Sequence, residues 1–453
     1  MNEGNNLSID LVASPKKSFW KLTVPIMCFV LFNAIYGIID LFWVSKLNAE
    51  SFYAVSVSIP IFTLICAMGD SIGQGTNSLM SRSIGARDYE NAYRAIFHGI
   101  IIVAAIWILI LLCIPFLDDF LVIARLNRSV PLILSYLIPT FLFSIVFILP
   151  NFFSETLQSE GDSKRPTVII IFGNVLNLIL DPILIFTFNW GVVGAAYSTI
   201  ISSSIATLVL AYLYASKRTK VPIYFKFAKL NPHIFFEIMN VAVPNFFIDS
   251  LFCITAVYIN GVLLRDLGQI GVLLYSTSTK LQDILITPLK GYGRGLMSIS
   301  AQLFGSKKID ELKGLYIYVL KISLSTMAVI SIVFYLFREP IYHLFSIFGI
   351  DIGIRYIAIF GVFILLTRTI IVLSSKMLDG FGRSYYNLIF TAILICLQTG
   401  AIYIFDGILP NGSSVLVGIL LSQIIISIIV SIFLKHTFNR FERQIEQGNL
   451  VVI

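Results

Sequence analysis

The chain has 453 residues, 57% hydrophobic and only 13% charged, with mean hydropathy +0.89 and a net charge of +7. A soluble domain carries about 25% charged residues, so this composition excludes a water-soluble enzyme. Long apolar stretches alternate with short charged clusters, and they are too long and too weakly alternating for barrel strands, which leaves an all-α polytopic membrane protein.

In chain order the apolar runs predict twelve transmembrane helices, at 18–46, 52–80, 92–114, 130–158, 166–188, 191–215, 236–263, 270–302, 312–337, 354–378, 384–405 and 412–436. Several exceed the ~20 residues that cross a bilayer, so they are expected to tilt, kink or protrude. Lys and Arg collect on one side, as at Lys16, Lys17, Arg82, Arg87, Lys164, Arg165, Lys217, Arg218, Lys307, Lys308, Arg383 and Arg440. The opposite side holds few, such as Lys46, Arg265 and Arg355. The positive-inside rule then predicts a multi-pass protein of the cytoplasmic membrane with both termini cytoplasmic. The positive charge is thus topology and not a nucleic-acid footprint. The cysteines (Cys28, Cys66, Cys113, Cys253 and Cys396) fall within spans with no C-x-x-C, the His lack metal-ligand spacing, and no G-x-x-x-x-G-K-[ST] loop is present. These exclude a disulfide framework, a transition-metal centre and an ATP-hydrolysing loop.

The chain repeats itself. Gly73, Gly75, Gly85, Arg87 and Glu90 recur as Gly293, Gly295, Gly305, Lys307 and Asp310, and the stretch from Leu157 to Ser163 returns from Leu378 to Ser384. Pro25 in span 1 matches Pro244 in span 7. Six spans per repeat is an even number, so the two six-helix lobes are expected to be related by a pseudo-two-fold axis along the membrane normal. The predicted parts are a first lobe at 1–216 carrying the cation site, a cytoplasmic linker at 217–235, a second lobe at 236–440 and a cytoplasmic tail at 441–453.

Two mid-span acids carry the functional reading. Asp40 and Asp181 lie inside apolar runs with no Lys or Arg near the centre. A carboxylate there costs several kcal/mol by the lower scales and is a functional site by default. Asn33, Tyr36 and Asp40 share one helical face, and Asn174, Asn177 and Asp181 repeat that kind of spacing. Pro182 frees the carbonyl of Leu178. Carboxylate, amide and freed carbonyl make a hard-oxygen site suited to Na⁺ or H⁺. Span 6 adds Thr199, Ser202 and Ser203 on one face. The plainer reading of the Asn and Ser residues is that they bridge helices. Asp249, Lys280, Asp283 and Arg368 form a predicted self-neutralised, buried charge cluster in the second half. Asp70 stands opposite Lys290 in the repeat, with Arg294 one turn on, and is a candidate inner gate with either; a water-exposed acid is the alternative.

The stretch from Gly73 to Asp88, the Gly161-Asp162-Ser163-Lys164 turn, the run from Asn177 to Phe186, and Gly191-Val192-Val193-Gly194-Ala195-Ala196, in that order, resemble multidrug and toxic compound extrusion (MATE) transporters. Asp40 and Asp181 point to the branch related to the DNA-damage-inducible F proteins. The resemblance implies two lobes of helices and export of amphipathic or cationic compounds in exchange for H⁺ or Na⁺, with no other cofactor. It places Asp40, Asn177, Asp181 and Thr199 at the cation site (Na⁺ ligands in the sodium case), Asn33, Tyr36 and Asn151 in the cleft beside Asn174, and a bend at Pro25. The expected partners are the lipid bilayer and small lipophilic or cationic substrates, with the chain acting as a monomer. The rival transporter is a flippase for a lipid-linked saccharide, which would want a cationic cleft. An intramembrane enzyme would need a catalytic pair, and none is written in the sequence.

Overall fold

The computed structural model describes residues 10–123, 129–224, 230–268, 282–337, 353–406 and 413–449, with 271–272, 275, 279 and 408–409 between them. The first part of the chain forms α1 (Pro15–Ser45), α2 (Ala49–Gly85), α3 (Tyr89–Cys113), a 3₁₀ turn at Ile114–Phe116, α4 (Leu117–Ile123), α5 (Val130–Leu142), α6 (Ile145–Ser159), α7 (Lys164–Pro182) and α8 (Gly191–Ala215). After them come α9 (Pro232–Leu267), α10 (Thr287–Gly305), α11 (Ile309–Leu336), α12 (Gly353–Gly380), α13 (Tyr385–Asp406) and α14 (Ser413–Glu446). Among the described residues, nine helices are long and apolar enough to cross a membrane, and ten when α5 and α6 count as one bent span. Of the other two predicted spans, 270–302 runs partly over residues outside those described, and α12 stands where 354–378 was expected. Large apolar side chains such as Phe172, Ile179, Leu208, Val257 and Ile332 point outward. In water that surface would be a liability; in lipid it is the expected outside of a transmembrane bundle.

Span 130–158 is not the single straight helix its composition suggests. It bends by 49° between α5 and α6. The backbone ladder there passes through i→i−3 bonds, Ser144 N to Phe141 O at 3.2 Å and Phe147 N to Ser144 O at 3.0 Å. A tightened turn of this kind redirects the axis.

The chain divides into two compact units, Met1–Val243 and Pro244–Ile453. The division falls inside α9 and not at the predicted 236. The reason lies in the first unit. Buried Arg82 of α2 pairs with Glu237 of α9 at 2.8 Å. Gly75 lets the backbone of Ile238 approach so closely that a Cβ there would stand 2.4 Å from its carbonyl oxygen. The first turns of α9 are therefore part of the first unit, and Pro244 opens the second.

Glycine is what allows α2 to pack so tightly. A Cβ on Gly69 would lie 2.5 Å from the carbonyl oxygen of Ile148 in α6, and one on Gly73 would lie 2.8 Å from the Cβ of Glu155. Backbone cannot yield as a flexible side chain can, so Gly69→Ala is expected to cost about 1–3 kcal/mol. The thermal midpoint in detergent checks this; a midpoint at or above that of the wild type contradicts it.

The repeat is written in the turns. Arg87 and Lys307 both take a left-handed conformation, φ 61° and 59°. Each is followed by the same closing bond, Asp88 N to Ser83 O at 2.8 Å and Lys308 N to Leu303 O at 3.0 Å. Gly161 and Gly382 match in the same way, φ 85° and 72°, closed by Asp162 N to Leu157 O at 3.0 Å and Arg383 N to Leu378 O at 2.9 Å.

Just past the end of α6, Glu160 is fully buried and accepts from the backbone N–H groups of Lys220 (2.7 Å) and Val221 (3.2 Å). Burial is the largest influence and pushes its carboxyl from 4.5 up to about 7; the two N–H bonds oppose this, and the Asp162 carboxylate adds to it. The folded value lies above the unfolded one, so this contribution to stability is complete below about pH 4.5 and is lost as pH rises through about 7. The full swing is on the order of 3 kcal/mol. Glu160→Gln keeps an acceptor and removes the titration. The thermal midpoint of the wild type should therefore fall relative to Glu160→Gln between pH 5 and pH 8, and a constant gap contradicts this.

Candidate functional site

The site is assembled inside the first unit from α1, α5, α7 and α8. Pro182 has no N–H, so α7 cannot continue its regular ladder. The chain re-registers as a π-helical turn, Ile183–Thr187, closed by Phe188 N to Ile183 O at 3.0 Å. Such turns often mark functional positions. Asp181 sits immediately before this re-registration and is fully buried.

Asp40 of α1 is half-buried, and its carboxyl group lies within hydrogen-bonding reach of Asp181. Two carboxylates at that separation repel unless a proton or a cation lies between them. Buried Asn177, one turn before Asp181, is best satisfied with its carbonyl accepting from Thr199 N at 3.0 Å. Its NH₂ group then donates to Asp181 Oδ2 and to the Tyr36 hydroxyl, at 3.1 Å each. The Tyr36 hydroxyl also lies close to the Thr199 side chain. Thr199 Oγ1 lies 3.0 Å from Ala195 O. Asp40, Tyr36, Asn177, Asp181 and Thr199 are thus one cluster of oxygen donors from three helices.

Two members escaped the sequence reading. Ser198 Oγ donates to Asp181 Oδ1 and also lies 2.9 Å from Ala195 O. Tyr136 of α5 is buried close enough to feel the charge of both acids. The face predicted on α8 ran through Thr199, Ser202 and Ser203. Ser202 instead donates to Thr199 O of its own helix at 3.0 Å. Ser198, one turn before Ser202, is the hydroxyl that reaches Asp181.

The remaining predicted residues fall elsewhere. Asn174 donates to Asn33 at 2.6 Å, a bridge between α7 and α1. Asn151 donates back to Phe147 O of α6 at 3.2 Å. Pro25 lies within α1, where hydroxyls from the start of α7 hold the turn around it: Ser163 donates to Leu22 O at 2.7 Å and Thr167 to Pro25 O at 3.2 Å. Asp70 is half-buried on α2 of the first unit, and Lys290 and Arg294 belong to α10 of the second.

The second-half charge cluster differs from its prediction. Lys280 lies outside the described residues. Asp249 is exposed and not buried, and Asp283 is 57% exposed. Asp283 pairs with Lys290 at 3.4 Å and lies near half-buried Arg368. The expected buried position is thus absent at Asp249 and Asp283, and Asp283 finds its cation in Lys290. Cys28, Cys66, Cys113 and Cys396 are free thiols. Among the described residues no group of three or more His, Cys, Asp or Glu is placed to hold a metal ion. The first-unit cluster is instead two carboxyls surrounded by neutral oxygens, a donor set that fits H⁺ or Na⁺.

Comparison with known proteins agrees with this architecture. The chain is 27% identical over 423 residues to the multidrug export protein MepA of Staphylococcus aureus strain MSSA476, covering 90% of each. Against MepA of strain MRSA252 it is 29% identical over 299 residues and spans 65% of that protein's length and 64% of its own. Among solved structures it superposes on a multidrug resistance MATE family transporter of the MOP superfamily in an outward-facing conformation, with TM-score 0.90, 26% identity, and 98% and 99% of the two chains covered. The same TM-score of 0.90, identity of 26% and coverage of 98% and 99% hold for a MOP superfamily transporter from Pyrococcus furiosus, described as having a binding pocket of reverse polarity that suggests a different function. The MatE family matches residues 25–183 and 244–404, one stretch in each half of the repeat, and the chain belongs to that family.

Proposed function

We propose that the chain is a secondary active antiporter that exports amphipathic or cationic compounds from the cytoplasm in exchange for H⁺ or Na⁺, by alternating access. The observation that carries this reading is the Asp40–Asp181 contact, ringed by Tyr36, Asn177, Ser198 and Thr199. Among the described residues no Lys or Arg pairs with either acid. Only an exchangeable cation then neutralises the pair. Coupling requires that this cation prefer one conformation of the transporter and the exported compound the other. The same pair supports placement in the branch related to the DNA-damage-inducible F proteins. The Lys and Arg distribution supports cytoplasmic termini, and a single chain holds the whole cluster, which supports a monomer. A flippase for a lipid-linked saccharide would need a cationic site for its pyrophosphate, and the acid pair has the opposite sign.

A host stripped of its own exporters tests the reading. Cells expressing the protein should accumulate several-fold less ethidium than cells expressing Asp181→Asn at equal membrane levels. Dissipating the proton and sodium gradients together should erase the difference. Equal accumulation before dissipation would refute export.

A further inference from the structure

The last helix of the second unit outruns a bilayer. The 34 residues of α14, Ser413–Glu446, span about 51 Å at ~1.5 Å per residue, against a hydrocarbon core about 30 Å thick. The surface of the helix changes where the surplus begins. Leu421, Ile425, Ile428 and Ile432 are exposed along one stripe, and the exposed turns that follow carry Lys435, His436 and Arg440.

α13 lies against this helix. Tyr386 and Phe390 pack on Phe433 of α14, with ring centroids 4.6 and 5.2 Å apart. Arg440 follows Phe433 by seven residues and shares its face, so it stands over the seam between the two helices. Arg383, in the turn that leads into α13, has its guanidinium 4.9 Å from the centre of the Phe441 ring. Exposed Tyr385 lies close enough to Arg383 and Arg440 to feel both charges. Acids in this part of the unit are engaged by other cations: Glu442 pairs with Lys313, and Asp379 with Lys376 at 2.8 Å. Among the described residues no carboxylate makes an ion pair with Arg440.

Basic residues gather at every cytoplasmic helix end, so charge alone marks no site. Here two guanidinium groups from different elements, one of them stacked on an aromatic ring, converge beside a phenol. A guanidinium fork matches a phosphate, and stacking holds it ready. Directly below lies an exposed apolar seam: Ile389, one turn after Tyr385 on α13, and Ile428 and Ile432 on α14. An anionic head above and hydrocarbon below is the chemistry of an acidic phospholipid.

We propose that the cytoplasmic end of the α13–α14 seam binds one anionic phospholipid, its phosphate held by Arg383 and Arg440 beside Tyr385 and its chains laid on Ile389, Ile428 and Ile432. The site is separate from the acid pair of the first unit and stands independently of the antiport reading.

The test is native mass spectrometry of the full chain, delipidated in a neutral detergent and titrated with phosphatidylglycerol or phosphatidylcholine. One phosphatidylglycerol should bind at least about tenfold more tightly than phosphatidylcholine, because a hydrogen bond to a charged group is worth about a tenfold change in equilibrium. Arg440→Gln and Arg383→Gln should each weaken it about tenfold, and Ile432→Ser should weaken it to a smaller extent. Arg440 is exposed, so the lipid-free thermal midpoint of Arg440→Gln should match the wild type, and its lost affinity then reads the site and not the fold. Lys164→Gln removes one exposed charge from the first unit and should leave the affinity in place. Inorganic phosphate in large excess should not displace the lipid. Equal affinity for the two lipids, equal weakening by Lys164→Gln and Arg440→Gln, or displacement by inorganic phosphate, which would mark a site for free anions, overturns the assignment.

Discussion

Asp40→Asn and Asp181→Asn should each reduce gradient-driven export by at least about a hundredfold while the protein stays folded and inserted. An amide is nearly the same shape as a carboxylic acid, but it cannot take up and release a proton and is a weak ligand for Na⁺. Either substitution therefore removes the exchangeable charge and leaves the surrounding oxygens in place. Stability should hold or rise, because the amide ends the repulsion between the two carboxyls. At position 181 the amide oxygen can still accept from Ser198, while the oxygen to which Asn177 donates is replaced by an NH₂ group, a loss that the relieved carboxyl repulsion offsets. The measurement pairs transport in proteoliposomes with the thermal midpoint in detergent. Lost transport with an unchanged or higher midpoint is the expected signature. Full transport by either variant contradicts the role of the pair, and lost transport with collapsed stability would assign these acids to structure.

The opposite pattern is expected in the second unit. Asp379, at the end of α12, is fully buried and accepts from Ser384 Oγ at 2.5 Å, Asn387 Nδ2 at 2.8 Å and Lys376 Nζ at 2.8 Å. It pins the turn whose Gly382 takes the left-handed conformation and thereby joins α12 to α13. Asp379→Ala withdraws the acceptor from an ammonium, an amide and a hydroxyl together. Breaking a buried pair from one side costs about 3–5 kcal/mol. The variant should give little monodisperse protein and a clearly lower thermal midpoint, while Asp379→Asn, which keeps an acceptor oxygen, should be milder. An Asp379→Ala protein that melts with the wild type would contradict the network.

What the sequence disclosed, and what it hid, follows from which side chains carry an energetic anomaly. Asp40 and Asp181 were legible because an unpaired acid in an apolar run needs a reason. The repeat was legible because glycines at close approaches and turn positions cannot drift: Gly75 faces the backbone of Ile238, and Gly161 and Gly382 hold matching turns. Ser198 was hidden because a serine on a helix is usually satisfied by its own backbone, as Ser202 is. Tyr136 was hidden because a tyrosine within an apolar span carries no signal of its own. The bend between α5 and α6 arises from tightened backbone turns at Phe143 and Ser144, which composition does not encode. Asp249 was misread because hydropathy gives the run but not the direction in which one side chain on it faces. Glu160 and Asp379 sit at helix ends, where an acid looks like ordinary loop; only the fold shows them to be buried.

The central claim is that the acid pair of the first unit exchanges a cation for an exported compound. Its most direct test is uptake and release of a fluorescent lipophilic cation in proteoliposomes, with the proton gradient and the sodium gradient imposed separately at zero membrane potential. At least one gradient should drive the cation against its own concentration difference, and Asp181→Asn should abolish that uphill movement. Movement that is only downhill under both gradients, or uphill movement that persists in Asp181→Asn, would contradict the claim.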